Sequence, residues 1–440
     1  MPSPMDDRPL VQIASYNTAL QGLHGVPQDL VDWLSPTLEV SNFLAREPRA
    51  PDIVAVGFQE LLPLHLGLAG LSRTVTESRS ALILSQIEAH APNKESYSLV
   101  ARIVNVGVAL LVYAKDDGIA RHVRNVETSW TGCGPLYMGN KGAVGVRFRV
   151  APDPDSPGEV YTFVCAHLTA HESKVLYRVA DYHYIVSSLL FPPLPGSASK
   201  AKTTMYTTSH LFFLGDLNFR MSLPDSHPYA GKANRADLNA ALSTEEGRSD
   251  LREFDQLLDQ RKKGTCFTAL REGDFWRFKC SYKCIMGEVD RYKCVALLPI
   301  FVYLPGLSMR YTPDQSAVTN VLYTSIPSYT FSDHKPIVSL LLLPAPQPRP
   351  IIPLLQLPPG FHPRPDPLAT LKRYAGRTLD RIVGFCWWFL VVIGAGSAAF
   401  GVGNFCLGSA RGRGGAGGLR PHMRAEPCVI CLSLCGGLDV

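Results

Sequence analysis

What most constrains this chain is where its apolar runs stop. VQIASYN (11–17), DIVAVGFQE (52–60), GVALLVYA (107–114), GAVGVRFRV (142–150), EVYTFVCAHL (159–168), HLFFLGDLNF (210–219) and KPIVSLLLL (335–343) are short and apolar on both faces, and many are β-branched. Such runs read as strands covered on each side by helices or a second sheet. Helix-like stretches alternate with them at 27–46, where the proline suits a helix start, and at 177–190 and 233–260. An α/β or α+β sandwich over residues 1–343 follows. Polar residues gather where the runs end. Asn17 closes the first, Gln59 and Glu60 the second, and His167 falls near the end of the fifth. Asp216 and Asn218 follow LFFL, and Asp333 and His334 stand just before the last run. Strand ends are where a rigid sheet can hold loops that reach solvent.

Composition narrows the partners. Hydrophobic residues make up 46% of the chain, enough for a sizeable core. A net charge of +5 does not call for nucleic acid; clustered Lys and Arg would serve an anionic small substrate or a lipid surface equally well. The 11 cysteines are odd in number and lack a disulfide-framework spacing. The C-x3-C-x9-C spacing of Cys280, Cys284 and Cys294 is not a zinc pattern. Residues 1–10 hold no apolar core of a secretory signal. A catalytic region facing the reducing cytosol is expected.

The last hundred residues differ. Residues 344–370 are rich in proline, which predicts an extended, semi-stiff linker and not a packed element. Residues 382–410 carry no charged side chain, and 382–407 is long and apolar enough to predict a membrane anchor. Lys372, Arg373, Arg377 and Arg381 precede it, and Arg411 and Arg413 follow. The glycine-rich stretch 408–440 is expected to be disordered.

The strand-end residues suit phosphoester hydrolysis. A hard cation such as Mg²⁺ takes one or two carboxylates plus waters, which Glu60 with Asn17 beside it would supply. Asp216 is the candidate for orienting the attacking water, with Asn218 as a hydrogen-bond donor to the same site. His334 is the proton-carrying group, its tautomer set by Asp333 or another carboxylate. Lys141 and His167 would stabilise phosphoryl charge.

The strings SYNT (15–18), GFQE (57–60), GNKGAVGVRF (139–148), CAHLTAHESK (165–174), FLGDLNFR (213–220) and YTFSDHKPI (329–337) resemble the inositol polyphosphate 5-phosphatase family. That family belongs to the DNase I-like endonuclease/exonuclease/phosphatase superfamily, and the resemblance spans about residues 9–343. It implies an α+β, four-layer sandwich with two central sheets. It implies Mg²⁺ at Glu60 helped by Asn17, and water activated by Asp216. Asn218, His334 paired with Asp333, and His167 would contact the scissile phosphate. Hydrolysis would be direct, at the 5-position of a phosphoinositide or inositol polyphosphate. Asn140, Lys141, His171, Lys174, Arg220, Lys283, Tyr292, Lys293 and Lys335 match positions where the family binds substrate. A monomer that binds no nucleic acid and is tethered to the endoplasmic reticulum is expected.

One family signature is missing. A Pro-(Ala/Ser)-Trp-(Cys/Thr)-Asp-Arg-Ile block should stand where this chain has CVALLPIFVYLPGLSMRY (294–311), which is uncharged over the 16 residues from Cys294 to Met309. We read the replacement as an altered splice or gene-model junction. In the family the lost Asp supports the catalytic cluster and the lost Arg helps grip a 4-phosphate. The competing expectations are therefore another phosphodiesterase of this fold, such as a nuclease or sphingomyelinase, or a catalytically impaired, membrane-tethered phosphoinositide-binding protein.

Overall fold

The computed structural model describes residues 8–20, 49–153, 158–230, 235–289, 291–296, 301–303, 318–346, 355 and 357–411. The helix expected at 27–46, most of the replacement block and the tail beyond 411 lie outside them.

Two mixed sheets form the centre. The first runs β12 (Thr319–Ser325), β13 (Ile337–Leu342), β1 (Leu10–Asn17), β2 (Ile53–Gln59), β4 (Val108–Lys115), β3 (Tyr97–Asn105). The second runs β11 (Phe301–Tyr303), β8 (His210–Asp216), β7 (Glu159–His167), β6 (Gly142–Val150), β5 (Val123–Gly132). A small ladder pairs β9 (Tyr282–Cys284) with β10 (Tyr292–Ala296). The period-2 alternation of each strand sorts its side chains between two cores. On β2, Ile53 and Ala55 face the second sheet, while Val54, Val56 and Phe58 pack with Val75, Ile83 and Ile87 of helix α2 (Ser72–His90), which follows the short α1 (Leu64–Ala69). On β8, Phe212 and Leu214 point inward. Leu211 and Phe213 meet Tyr182 and Ile185 of helix α3 (Val175–Ser188). The result is four layers, helix–sheet–sheet–helix, as expected. The helical region at 233–260 is broken into α4 (Arg235–Ser243), α5 (Glu245–Leu251) and α6 (Gln256–Lys262). Asp255 caps α6 by accepting from Leu258 N at 2.8 Å.

Strand direction decides where the site lies. β1 and β2 are parallel, with Asn17 opposite Gln59; β7 and β8 are parallel, with His167 opposite Asp216. The antiparallel strands β13 and β6 begin at that same end, with Ile337 opposite Ser15 and Gly142 opposite His167. Every polar strand terminus picked out in the sequence is thus delivered to one edge of the sandwich.

Two C-terminal findings modify the expectations. The proline-rich stretch is laid against the body where it is described. Leu355 is buried, its N–H donates to Thr208 O at 2.8 Å, and Leu357 and Phe361 join the core beneath α3. Prolines deprive the segment of helix, but its scattered leucine and phenylalanine side chains still find apolar cover. Residues 382–407 fall within one helix, α7 (Ala369–Arg411). Among the described residues no helix is long and apolar enough to cross a membrane. The chain divides into a unit of Met1–Trp388 and a unit of Phe389–Val440.

Gly57 shows how closely the sheets approach. A Cβ there would sit 2.7 Å from Leu214 Cδ1 and 2.8 Å from Cys165 Sγ. Gly57→Ala is expected to lower unfolding free energy by about 1–3 kcal/mol through overpacking, measured by urea denaturation; an unchanged midpoint would mean that the sheets separate freely.

Candidate active site

The two sheets are stitched together at the polar edge. Asn17 Nδ2 donates to Asp216 Oδ2 at 2.9 Å, while Asn17 Oδ1 accepts from Ala19 N at 3.1 Å. Glu60, one residue past β2, has a left-handed backbone (φ 49°). Its carbonyl is held by Thr18 Oγ1 at 2.7 Å and Leu20 N at 2.8 Å. A non-glycine residue kept in that region by surrounding bonds is a common mark of a functional position. Here it turns the Glu60 carboxylate toward the second sheet, with Oε1 3.8 Å from His167 Nε2. Asp216 Oδ2 lies 3.5 Å from His167 Nε2 and 3.9 Å from His334 Nε2. Asp333 Oδ1 is 3.8 Å from the same His334 nitrogen. His334 stacks on Tyr282 at 4.2 Å, and its backbone N–H donates to Ser332 Oγ, which itself donates to Asn17 O. Lys141, just before β6, directs its ammonium at His167 Nε2.

Charge in this edge is sharply biased. Burial alone would push the Asp216 carboxyl up, but His334, His167 and Lys141, with the Asn17 amide, outweigh it and hold it at about 2. His167 is driven down to about 3 by burial and by Lys141, against the pull of Asp216. It is therefore neutral at pH 7, and its Nε2 accepts a hydrogen bond from the Lys141 ammonium. Burial lowers Lys141, opposed by Asp216 and Glu60. Burial raises Glu60, with Lys141 opposing. A carboxylate buried beside two others is an expensive arrangement unless a cation faces it.

The remaining expected residues separate into groups. Arg220 reaches Asn218 Oδ1 at 3.4 Å and lies over the Tyr282 ring, and Lys283 Nζ is 3.8 Å from Asp333. These cations border the acidic cluster. His171 and Lys174 are exposed on the loop after β7, and Asn140 is half-buried beside Lys141. The Asn218 amide donates to Leu168 O at 3.0 Å, which ties it to the loop after β7. Lys335 is buried, and its ammonium donates to Tyr329 O at 2.7 Å and Glu288 O at 3.0 Å. Tyr292 packs on the apolar cluster of Met221, Leu238 and Leu242, and the side chain of Lys293 lies outside the described residues. Asp333 does not fix His334 through Nδ1, which is buried without a hydrogen-bond partner among the described residues.

Sequence reasoning missed Arg178 and Asp181 on α3. The buried Arg178 guanidinium donates to the carbonyls of Thr169, His171 and Glu172 and to Gln256 Oε1 at 2.6 Å. Gln256 Oε1 also accepts from Arg220 N at 3.0 Å. Asp181 Oδ2 accepts from Thr169 N at 2.8 Å. The signal was an Arg and an Asp three apart on one helical face, immediately after HLTAHESK.

The family model described as endonuclease/exonuclease/phosphatase family 2 matches residues 14–340, and the chain belongs to that family. Within it, the chain is similar to inositol 5-phosphatases. It is 29% identical to Synaptojanin-2 of Homo sapiens over 264 residues, which is 59% of this chain and 16% of that protein. It is 29% identical to the type II inositol 1,4,5-trisphosphate 5-phosphatase of Mus musculus over 317 residues, 70% of this chain and 28% of that protein. The chain thus spans less than a third of the length of either relative. Among solved structures, the 5-phosphatase domain of a synaptojanin, in complex with inositol (1,4)-bisphosphate and calcium, aligns with a TM-score of 0.56 at 20% identity. That alignment covers 89% of this chain and 93% of that one. A Cimex nitrophorin aligns with a TM-score of 0.50 at 16% identity, over 77% of this chain and 99% of that one. The fold is the DNase I-like α+β sandwich.

Arg178→Met is expected to lower stability by about 3 kcal/mol, because the carbonyls and Gln256 lose a charged donor. Hydrogen exchange should quicken most in residues 168–174; a uniform rise across α3 and β7 would contradict the loop-holding role.

Proposed function

We propose that this chain is a Mg²⁺-dependent phosphoric monoester hydrolase that removes the 5-phosphate from phosphoinositides, such as phosphatidylinositol 4,5-bisphosphate, and from soluble inositol polyphosphates. The observation that carries the proposal is the convergence of Glu60, Asp216, His167, His334 and Lys141 on one edge, in a chain similar to inositol 5-phosphatases.

The donors fit one hydrated hard cation. Among the described residues no group of three or more His, Cys, Asp or Glu forms a metal cage. Glu60 presents a half-buried carboxylate and Asn17 an amide oxygen nearby, which suits an ion that keeps most of its waters. Such an ion would polarise the phosphoryl oxygens and offset their charge. The protein's own residues do the rest. Asp216, ionised at neutral pH, orients the attacking water and accepts its hydrogen bond. Its low proton affinity suits orientation more than full deprotonation, which a loose phosphoryl transition state tolerates. Lys141, steadied by neutral His167, faces the phosphoryl charge. His334 offers its Nε2 proton toward the same oxygens. Water's oxygen forms the new P–O bond, the ester P–O bond breaks, and a proton from water ends on the inositol hydroxyl. No phospho-enzyme is required.

A membrane site of action supports this substrate. Ile382, Phe385, Trp387, Trp388 and Leu390 are exposed apolar side chains on α7, in a stretch whose sequence carries no charge from 382 to 410. We read the segment as the chain's attachment to a membrane, with the endoplasmic reticulum expected and the catalytic face toward the cytosol. The replaced 294–311 block favours the second reading, a phosphoinositide binder with weakened catalysis.

The full-length chain in detergent, given phosphatidylinositol 4,5-bisphosphate micelles and Mg²⁺, should release phosphate and leave phosphatidylinositol 4-phosphate by chromatography. Asp216→Ala and His334→Ala should each lower turnover by about 10²-fold or more. Equal release from all three proteins defeats the enzymatic reading, and co-sedimentation with vesicles in the absence of turnover favours the binder. Cleavage of plasmid DNA instead would favour a nuclease.

A further inference from the structure

The family match ends at residue 340, yet the catalytic edge is gripped by residues beyond it. The first part of α7 lies across the Gly132–Lys141 loop. Asp380 is buried, and both of its carboxylate oxygens accept from the Gly139 backbone N–H, at 3.0 and 3.1 Å. Gly139 is followed directly by Asn140 and Lys141, the latter facing His167. One turn earlier, Arg377 donates to Asn105 Oδ1 at 2.9 Å and stacks its guanidinium 3.8 Å from the Trp130 ring centroid. Asn105 in turn lies against Gly139, where an added Cβ would be 2.8 Å from Asn105 Nδ2. Gly376 brings the helix backbone onto the loop itself, since a Cβ there would meet Tyr137 O at 2.0 Å. Arg381 anchors the next turn on Leu68 O, beneath Gly70. A helix that only led away from the body would need neither a buried carboxylate nor a glycine at its contact.

We propose that Asp380 is a positioning residue for the catalytic edge: by capping the Gly139 N–H it sets the Gly139–Lys141 segment, and so places the Lys141 ammonium against His167 and the Glu60–Asp216 pair. The backbone N–H of Gly139 is buried and has no strand partner, so without Asp380 it must move to reach water. Movement of that peptide carries Lys141 with it. The role assigned to Lys141 in turnover rests on the phosphatase reading; the placement of the segment does not.

The test uses full-length Asp380→Ala and Asp380→Asn. Asn keeps an oxygen acceptor and should behave as the parent chain. In Asp380→Ala, amide exchange over residues 133–141 should quicken about tenfold, while β7 and β8 stay protected. Turnover on phosphatidylinositol 4,5-bisphosphate should fall about tenfold with little change in KM, as expected for a misplaced charged group. Combined with Lys141→Met, the loss should be no greater than from Lys141→Met alone, since both act through one ammonium. Should Asp380→Ala not fold, Gly376→Ala decides, because it lifts the helix from the loop with the carboxylate intact and should give the same local exchange. Unchanged exchange over 133–141 in the folded variant overturns the proposal. So does full additivity with Lys141→Met. Quickened exchange in a chain with no phosphatase activity would instead retain the placement and remove the enzymatic reading.

Discussion

The hydrogen bond from Asn17 to Asp216 joins the ends of two sheets, and the rest of the catalytic edge depends on that junction. Neither sheet alone carries a usable site. The first brings Asn17, Glu60 and the Asp333–His334 pair; the second brings His167, Asp216 and, at the start of β6, Lys141. For the two sets to meet, the sheets must approach closely at their polar ends. Gly57 permits that approach, with Leu214 and Cys165 filling the place of its missing side chain. Gln59 reaches Cys165 Sγ at 3.1 Å and Ser15 at 3.1 Å, so even the buried polar groups behind the site span the layers.

The junction also explains the electrostatics. Acids and bases from different sheets are forced into a small, poorly hydrated volume, where each is held off its ordinary state by the others. His167 stays neutral because an extra proton would face Lys141 without water. Asp216 stays charged because cationic neighbours outweigh its burial. The edge therefore carries an ionised carboxylate, a neutral imidazole and an ammonium within contact of one another. That combination suits the proposed hydrolysis of an anionic ester by water, and it would be wasteful as a structural core.

Much of this was legible in sequence because it was local. Strands announce themselves by period and β-branching, and a polar residue at the end of an apolar run needs no distant partner to be noticed. Asn17, Glu60, His167, Asp216 and His334 were found in that way and converge. For Lys335 and Asn218 the structure shows carbonyl partners, and for Tyr292 an apolar cluster, that the sequence does not reveal, because nothing in a linear string shows which way a side chain turns. Arg178 was overlooked because its partners are carbonyls, which leave no mark in sequence. Asp380 was overlooked for a different reason: 241 residues separate it from Gly139, and it sits beside an apolar stretch that invited a reading as anchor alone.

Fold by itself leaves the chemistry open, since a nitrophorin shares this sandwich about as closely as a phosphatase domain does. What separates such proteins is the edge, and this chain's edge has two unusual borders. On one side the Trp-Asp-Arg block has given way to an uncharged stretch, of which Phe301–Tyr303 pairs with β8 through Leu214, Phe213 and Phe212. That pairing extends the second sheet beside the strand that carries Asp216, so the replacement supports the scaffold even though it brings no charge for an anion. On the other side α7 adds a buried carboxylate to the loop that carries Lys141, with Arg377 and Arg381 bonded beside it to Asn105 and Leu68. Support for the Lys141 segment thus comes from beyond residue 340, where the family match ends, while residues 294–309 bring no charge. Under the phosphatase reading proposed above, the two borders therefore act on different steps: α7 on the placement of Lys141, and the uncharged stretch on the grip on an anionic substrate.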